Sequence, residues 1–149
     1  MKQIVIGTDG SPSAQEAVEF GIELAQEQGA DVTFVHVTPA DEFVGGRVGT
    51  HAVSHREAVD ESETTLKAAA GVAEKAGVSY TLERISGESA ETIVGLAESL
   101  KADLIVVGSR GRGPVSSALL GSVSRDVLAR ASGPVLVART AKTPAGAAH

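Results

Sequence analysis

The residues best suited to chemistry lie in one glycine-rich segment that begins at Gly108. Gly108, Gly111 and Gly113 fall within six residues, and so many glycines let a backbone curl until its amide groups point inward. Inward amides bind anions. The segment therefore predicts a phosphate-binding loop, although glycines at this spacing also suit a tight connection between a strand and a helix.

A second anion-binding element follows, because nine residues separate Gly111 from Gly121, which precedes a predicted helix. The free amides in the first turn of a helix and the positive end of its dipole favour phosphate. Ser122, Val123 and Ser124 occupy that turn, where Ser122 could instead act only as a cap. Two such elements at one place favour the phosphate interpretation.

Motifs of other nucleotide-binding and catalytic classes are absent. A P-loop requires a lysine after its last glycine, whereas Arg112 and Ser122 stand near the corresponding positions, and the pair Gly111 and Gly113 lacks the third glycine of a dinucleotide fingerprint. Ser109 has no plausible histidine and aspartate relay, so a serine nucleophile is not indicated. The loop predicts binding rather than covalent catalysis.

Asp9 is the one carboxylate that the pattern places beside this loop, because it follows a hydrophobic strand and the residues Gly7 and Thr8. An aspartate before a helix commonly caps it or stabilises a turn, but the predicted position favours a role toward ligand or metal. Arg112 lies between two glycines and is placed to reach a phosphate oxygen. Arg110 is interpreted as an ordinary solvated charge.

The elements that must position these residues alternate along the chain. Hydrophobic runs predict five strands, and segments of helical periodicity predict four helices between them. The predicted strands are 2–7, 32–37, 78–85, 103–108 and 134–139, and the predicted helices are 12–28, 54–76, 89–100 and 122–131. Residues 40–53, with three glycines and no period, are predicted to form a mobile loop, followed by a helix that a capping box of Ser54 and Glu57 would start.

Alternating strands and helices imply a doubly wound α/β fold, in which helices cover both faces of a parallel sheet. The first and fourth strands are the most hydrophobic and should be central, which gives the order 3-2-1-4-5 with the third strand at an edge. Ligands bind such sheets at the carboxyl ends of the strands, beside the point where the winding reverses. That point lies between Asp9 and Gly108.

Composition limits the class of protein. The 149 residues have no cysteine, a formal charge of −6 and a mean hydropathy of +0.09. This size fits one domain, and the apolar runs are far shorter than the ~20 residues that span a bilayer. The acidic balance argues against nucleic acid or membrane as a partner. With no signal peptide indicated, we expect a cytoplasmic protein.

Gly108, Gly111, Gly121 and Ser122 match a glycine spacing through which the chain resembles the universal stress proteins, specifically their ATP-binding branch, over residues 2–139. The resemblance implies a fold like that of the adenine nucleotide alpha hydrolases, with one domain over residues 1–140 and a flexible tail over 141–149. It implies ATP as the ligand, with Mg²⁺ as a further possibility and Asp9 as its candidate ligand. Location and resemblance together predict the nucleotide-binding residues Gly7, Thr8, Asp9, Val37, Gly108, Ser109, Gly111, Arg112, Gly113, Gly121, Ser122, Val123 and Ser124.

Three functions are compatible with these residues. An ATP-dependent regulator or sensor in a stress response is favoured, because a phosphate cradle is present without a positioned base. The alternative is a slow Mg²⁺-dependent enzyme that hydrolyses ATP or transfers a nucleotidyl group, with Asp9 as metal or water ligand. A structural or chaperone-like dimer with a vestigial cleft would be expected to have a damaged glycine loop, whereas this loop is intact.

The fifth strand predicts assembly. It lies at one end of the predicted order and is apolar from Val135 to Ala138, with only Arg139 to protect it. We expect it to pair with the same strand of a second copy across a two-fold axis, as the resemblance also implies. Shielding of the edge by the tail of residues 140–149 is the alternative.

Overall fold

The computed structural model describes residues 1–39, 48–110 and 120–139, except for the side chains of residues 48–59. Five strands and four helices alternate along this part of the chain, as the sequence predicts. They are β1 (Gln3–Gly7), α1 (Pro12–Gln28), β2 (Asp31–Thr38), α2 (Val48–Ala76), β3 (Tyr80–Ser86), α3 (Ser89–Ser99), β4 (Leu104–Gly108), α4 (Ser122–Arg130) and β5 (Val135–Ala138).

The strands form one sheet in the order β3-β2-β1-β4-β5, and every neighbouring pair is parallel. The predicted strand order and the predicted edge position of the third strand are confirmed. Because β1 lies between β2 and β4, the winding reverses at β1 and β4, and the carboxyl ends of these two strands flank the reversal.

Two apolar cores lie on opposite faces of the sheet. One contains Ile4 and Ile6 of β1 with residues of α1 and α2, and the other contains Val5 of β1 with residues of α3 and α4. This alternation follows from the period of two in a strand. The helices therefore cover both faces, as a doubly wound sheet requires.

The helices α1, α3 and α4 differ in the residue that caps their N-terminus. Ser11 caps α1, because its hydroxyl accepts from the amide of Ala14 and Pro12 follows it. Glu88 caps α3 with its carboxylate. The N-cap of α4 is Gly121, which has no side chain to offer. The interpretation of Ser122 as the cap is therefore wrong, because Ser122 already lies inside the helix.

The start of α2 differs from the prediction. The helix begins at Val48, so the capping box at Ser54 is wrong, and residues 48–53 are helical rather than part of a loop. A glycine such as Gly49 costs a helix only about 1 kcal/mol, which a helix of 29 residues tolerates. The rest of the predicted mobile loop, residues 40–47, lies outside the described residues. Within the described part of the chain, no helix is long and apolar enough to cross a membrane.

Candidate functional site

A cleft opens at the carboxyl ends of the strands, where the winding reverses. It encloses about 490 Å³ when its open mouth is included. Its lining residues come from β1, α1, β2, α3, β4 and α4 and from the turns that follow β1 and β4. They are Gly7, Thr8, Asp9, Ala14, Val35, Val37, Ser89, Ile93, Val107, Gly108, Arg110, Val123 and Ser124.

More than half of the residues predicted to bind a nucleotide lie together at this cleft. Seven of them line the cleft, namely Gly7, Thr8, Asp9, Val37, Gly108, Val123 and Ser124. Ser109, Gly121 and Ser122 lie at the base of the glycine loop without belonging to the lining. Gly111, Arg112 and Gly113 lie outside the described residues.

Arg110 lines the cleft and is half-buried. The sequence analysis interpreted Arg110 as an ordinary solvated charge and did not place it on the cleft. The hydroxyl of Ser11 donates to the carbonyl of Arg110 across 3.4 Å, which ties the backbone of Arg110 to the start of α1. This hydrogen bond joins residues that are distant in sequence. The one sequence signal for a place of Arg110 on the cleft is its position two residues after the end of the central strand β4.

Part of the apolar lining, namely Val35, Val107 and Ile93, was not predicted. Val35 and Val107 share the face of the sheet that α3 covers, and Ile93 lies on the buried side of α3. Period-two alternation from Val37 marks Val35, and alternation from Ile105, which pairs with Val5, marks Val107. The helical stripe of α3 marks Ile93. What the sequence does not show is that this stripe reaches the edge where the ligand-binding turns lie.

Asp9 is half-buried in the turn between β1 and α1. Its Oδ1 accepts a hydrogen bond of 2.9 Å from the amide of Ser11, and Gly10 has the left-handed φ of +81° that closes the turn. The turn therefore fixes the direction of the carboxylate. Asp9 and Arg110 are the charged side chains among the described lining residues.

The two ends of the glycine loop are tied by hydrogen bonds to one carbonyl. The carbonyl of Ser109 accepts from the amide of Gly121 at 2.6 Å and from the hydroxyl of Ser124 at 3.0 Å. The same hydroxyl also lies 3.1 Å from the carbonyl of Gly121. Because the proton of Ser124 is directed to these carbonyls, the donors that α4 offers to a ligand are backbone amides.

The first turn of α4 differs from those of α1 and α3 because no side chain accepts hydrogen bonds from its backbone amides as an N-cap. In α1 and α3 a side chain accepts from first-turn amides, whereas the N-cap of α4 makes no side-chain hydrogen bond. The first amides of a helix have no partner within the helix. Within the described part of the chain, no side-chain cap therefore satisfies the amides at the start of α4, which lie at the positive end of the helix dipole.

Gly108 has a packing role that the sequence did not reveal. A Cβ built on Gly108 would lie 2.6 Å from the carbonyl carbon of Ser13 and 2.7 Å from the amide nitrogen of Ala14. The missing side chain thus lets the first turn of α1 lie directly against the end of β4. This close approach sets the width of the cleft between Asp9 and the glycine loop.

The described side chains form no cluster of metal ligands. Among the side chains that the structure describes, no three histidine, cysteine, aspartate or glutamate residues come together as a metal site would require. His36 is buried against α2 with its Nδ1 2.5 Å from the hydroxyl of Ser62.

Comparison with known proteins identifies the family. The model of the universal stress protein family matches residues 1–139 of the chain. The chain belongs to the universal stress protein family. A relative, the universal stress protein MJ0531 of Methanocaldococcus jannaschii, is 38% identical over 142 residues, which cover 95% of this chain and 84% of the relative.

Solved structures of similar proteins share the fold of this universal stress protein. The hypothetical protein MJ0577 superposes with a TM-score of 0.83 at 25% identity, covering 95% of this chain and 98% of its own. A universal stress protein of Archaeoglobus fulgidus in complex with dAMP has a TM-score of 0.72 at 26% identity, covering 93% and 98%. A universal stress protein in complex with cAMP has a TM-score of 0.66 at 28% identity, covering 94% of this chain and 98% of its own. Some structural neighbours of this chain therefore bind adenine nucleotides.

Proposed function

We propose that this universal stress protein binds ATP in the cleft between Asp9 and the start of α4, and acts as a nucleotide-dependent regulator or sensor in a stress response. The observation that carries the proposal is the uncapped first turn of α4 on the same cleft as the cationic side chain of Arg110. Free amides, a positive dipole end and a guanidinium are the groups that phosphate requires. The adenine nucleotides bound by similar proteins support it.

The remainder of the lining suits a nucleoside. Val37, Ile93 and Val107 offer apolar contact to a planar base, as small-molecule sites generally do. Asp9 is oriented by the amide of Ser11, which occupies its Oδ1, so Oδ2 would accept from a ribose hydroxyl. The apolar residues would contact the base, the carboxylate of Asp9 would contact the sugar, and the amides at the start of α4 would contact the phosphates.

Regulation is proposed rather than rapid turnover because the described lining has a single carboxylate, Asp9. Efficient phosphoryl transfer needs a positioned base and compensating cations as well, and Mg²⁺ bound to ATP would find only Asp9 among the described acidic residues of the lining. The proposal includes a homodimer formed through residues 135–139. It also places the protein in the cytoplasm, where a chain without cysteine needs no oxidising environment.

Two measurements test the ligand directly. Mass spectrometry of material released from freshly purified protein should identify an adenine nucleotide, and added ATP should raise the melting temperature. Ligand at a hundred times its Kd stabilises by about 2.7 kcal/mol. If no nucleotide is released and ATP leaves the melting temperature unchanged, ATP binding is ruled out.

A pair of arginine substitutions tests the site. Arg110→Gln should weaken ATP binding about tenfold, since a charge-assisted hydrogen bond contributes roughly 1.5–3 kcal/mol. The control is Arg130→Gln, which removes the same charge from an exposed position in the last turn of α4. Equal affinities of the two variants, measured by calorimetry, would remove Arg110 from the site. Rapid multiple turnovers of ATP that Asp9→Asn abolishes without loss of binding would favour the enzyme alternative.

A further inference from the structure

A second groove lies between α1 and α2, on the opposite face of the sheet from α3 and α4. It encloses about 580 Å³ when its open mouth is included. The end of β1 forms its inner limit, and the two helices form its sides. The residues that line it are Thr8, Gly10, Gln15, Val18, Thr64, Thr65, Ala68, Ala69 and Val72.

The side chain of Thr8 faces this groove. In β1, Ile4 and Ile6 face α1 and α2, and the Cβ direction of Gly7 faces Ile93 and Val107 on the other side. Alternation therefore turns the side chain of Thr8 to the α1 and α2 face, which agrees with its place in the lining of the groove. The backbone at Thr8 borders the nucleotide cleft, but its side chain belongs to the groove.

Thr8 is 8% exposed, yet its hydroxyl makes no hydrogen bond with any residue that the structure describes. The other buried hydroxyl groups of the described chain all have protein partners, namely Ser11, Ser13, Thr33, Thr38, Ser62, Ser109 and Ser124. A buried hydroxyl without a partner is destabilising. Because none of the described residues pairs with it, the hydroxyl of Thr8 is available to a ligand that enters the groove.

The lining defines the chemistry of that partner. It contains no charged side chain among the described residues, so none of these residues compensates a bound ion, and a buried unpaired charge is strongly unfavourable. Val18, Ala69 and Val72 offer apolar surface, while Gln15 and Thr65 offer neutral polar groups. A hydroxyl such as that of Thr8 both donates and accepts, and another alcohol matches both capacities.

We infer that the groove between α1 and α2 binds an uncharged small molecule of the alcohol class, with a compact apolar body and a hydroxyl group that hydrogen-bonds to Oγ1 of Thr8. The apolar body lies on Val18, Ala69 and Val72, and the charged phosphates of a nucleotide are excluded. This site is separate from the ATP site, and its test uses no nucleotide, so either proposal can fail alone.

The experiment is a titration of isotope-labelled full-length protein with benzyl alcohol, followed by amide chemical shifts. Benzyl alcohol should give saturable shifts at Thr8, Thr65 and Val72, with a Kd on the order of 1 mM for a ligand of this size. Benzoate, which has the same ring and a negative charge, should bind at least tenfold more weakly. Shifts that do not saturate, or equal binding of benzoate, would overturn the inference.

Two variants locate the bound probe. Ala68→Trp fills the groove from an exposed position and should weaken benzyl alcohol binding at least tenfold, whereas Ala129→Trp, also exposed but on α4, should leave the affinity unchanged. Thr8→Val keeps the shape of the side chain and removes the hydroxyl, which should reduce affinity about fivefold, the effect of one neutral hydrogen bond. Full affinity in Thr8→Val or in a folded Ala68→Trp overturns the inference. Should Ala68→Trp fail to fold, Thr8→Val decides.

Discussion

At the scale of single residues, Gly108 shows how one position serves two purposes. In the sequence it is the first glycine of the predicted phosphate loop. In the structure the absence of a side chain allows the backbone of Ser13 and Ala14 to approach closely. An added Cβ would meet backbone atoms rather than the end of a flexible side chain. Contacts of backbone with backbone cannot relax by a rotamer change, so the packing role alone requires glycine here.

We therefore expect Gly108→Ala to lower the free energy of unfolding by about 2–3 kcal/mol, in the range of overpacking in a dense interior. The matched control is Gly95→Ala on the exposed side of α3, where an added Cβ meets nothing within 4 Å. That change should stabilise by about 0.5–1 kcal/mol through helix propensity. Urea unfolding measures both, and equal effects would show that α1 does not constrain position 108.

The site residues divide by what a sequence can show. Asp9, Val123 and Gly108 were predicted because each lies at the end of a strand, in the turn after a strand or in the first turn of a helix, and topology carries such positions to one edge. Arg110 and Ile93 were missed because their role depends on the direction of a turn and on the reach of α3. Ser124 was nominated for a ligand, yet its hydroxyl is held by the carbonyls of Ser109 and Gly121.

At the scale of elements, the C-terminus of α3 has a residue in a costly conformation. Lys101 has φ of +54°, the left-handed region that glycine normally occupies after a helix. It lies there because its amide donates to the carbonyl of Glu98 and the amide of Ala102 donates to that of Ala97. These bonds close the helix and lead the chain into β4.

Lys101→Gly should stabilise the protein by about 0.5–1 kcal/mol, since the relief of the left-handed conformation exceeds the added freedom of the unfolded chain. The reverse change is available at the end of α2, where Gly77 has φ of +71° and open space around it. Gly77→Ala should destabilise by about 1 kcal/mol. Thermal unfolding of the two variants checks the pair, and shifts in the same direction would contradict the expectation.

Asp103 joins the starts of β1 and β4, at the end of the sheet remote from the cleft. Its Oδ2 accepts from the amides of Lys2 at 2.7 Å and Gln3 at 3.0 Å. These hydrogen bonds hold the pKa of the Asp103 carboxyl below its ordinary value, although the group is exposed. Because the pKa is lowered on folding, the carboxylate contributes stability above the unfolded pKa and loses it as the pH falls through the folded one.

Asp103→Asn should therefore lower the urea midpoint at pH 7, and the difference from the wild type should shrink as the pH falls below about 4. Asp126→Asn, exposed on α4, removes the same charge without these hydrogen bonds and serves as the control. A difference between wild type and Asp103→Asn that stays constant down to pH 2 would mean that the charge of Asp103 contributes nothing.

The elements themselves were predictable wherever hydrophobic period and turn residues agreed. The strands of the sheet and the cap of α1 at Ser11 follow from local patterns, because buried parallel strands are continuous apolar runs. The start of α2 was missed because residues 48–53 contain a glycine and no apolar stripe, which is the local pattern of a loop. Ser54 and Glu57 have the spacing of a capping box, although they lie more than one turn after the first residue of the helix.

At the scale of the whole molecule, the two edges of the sheet differ in character. The β3 edge has Glu83 and Arg84 among its residues, and such charges discourage strand pairing. The β5 edge is apolar, with Val135, Leu136 and Val137 only partly buried. Both helices that contact β5 also expose a large apolar side chain, Phe20 at 46% on α1 and Leu128 at 44% on α4.

The hydrogen bonds of β5 show which of its residues are available to a second chain. The amide of Ile105 donates to the carbonyl of Pro134, and that of Ser109 donates to the carbonyl of Ala138. Since backbone groups alternate along a strand, Leu136 also points to β4, whereas Val135 and Val137 point their amides and carbonyls outward. An antiparallel partner strand would therefore pair with the odd-numbered residues.

This alternation gives the homodimer proposal a test with an internal control. Val137→Pro removes an outward donor and leaves the bonds to β4 intact, so we expect it to convert a dimer into a folded monomer. Leu136→Pro removes an inward donor and should in addition destabilise the chain by about 1–3 kcal/mol, because a β4 carbonyl loses its partner. Sedimentation at micromolar concentration reports the assembly, and urea unfolding reports the stability. A monomeric wild type would end the proposal, and a dimer that survives Val137→Pro would place the interface away from β5, at a surface such as the one that includes Phe20.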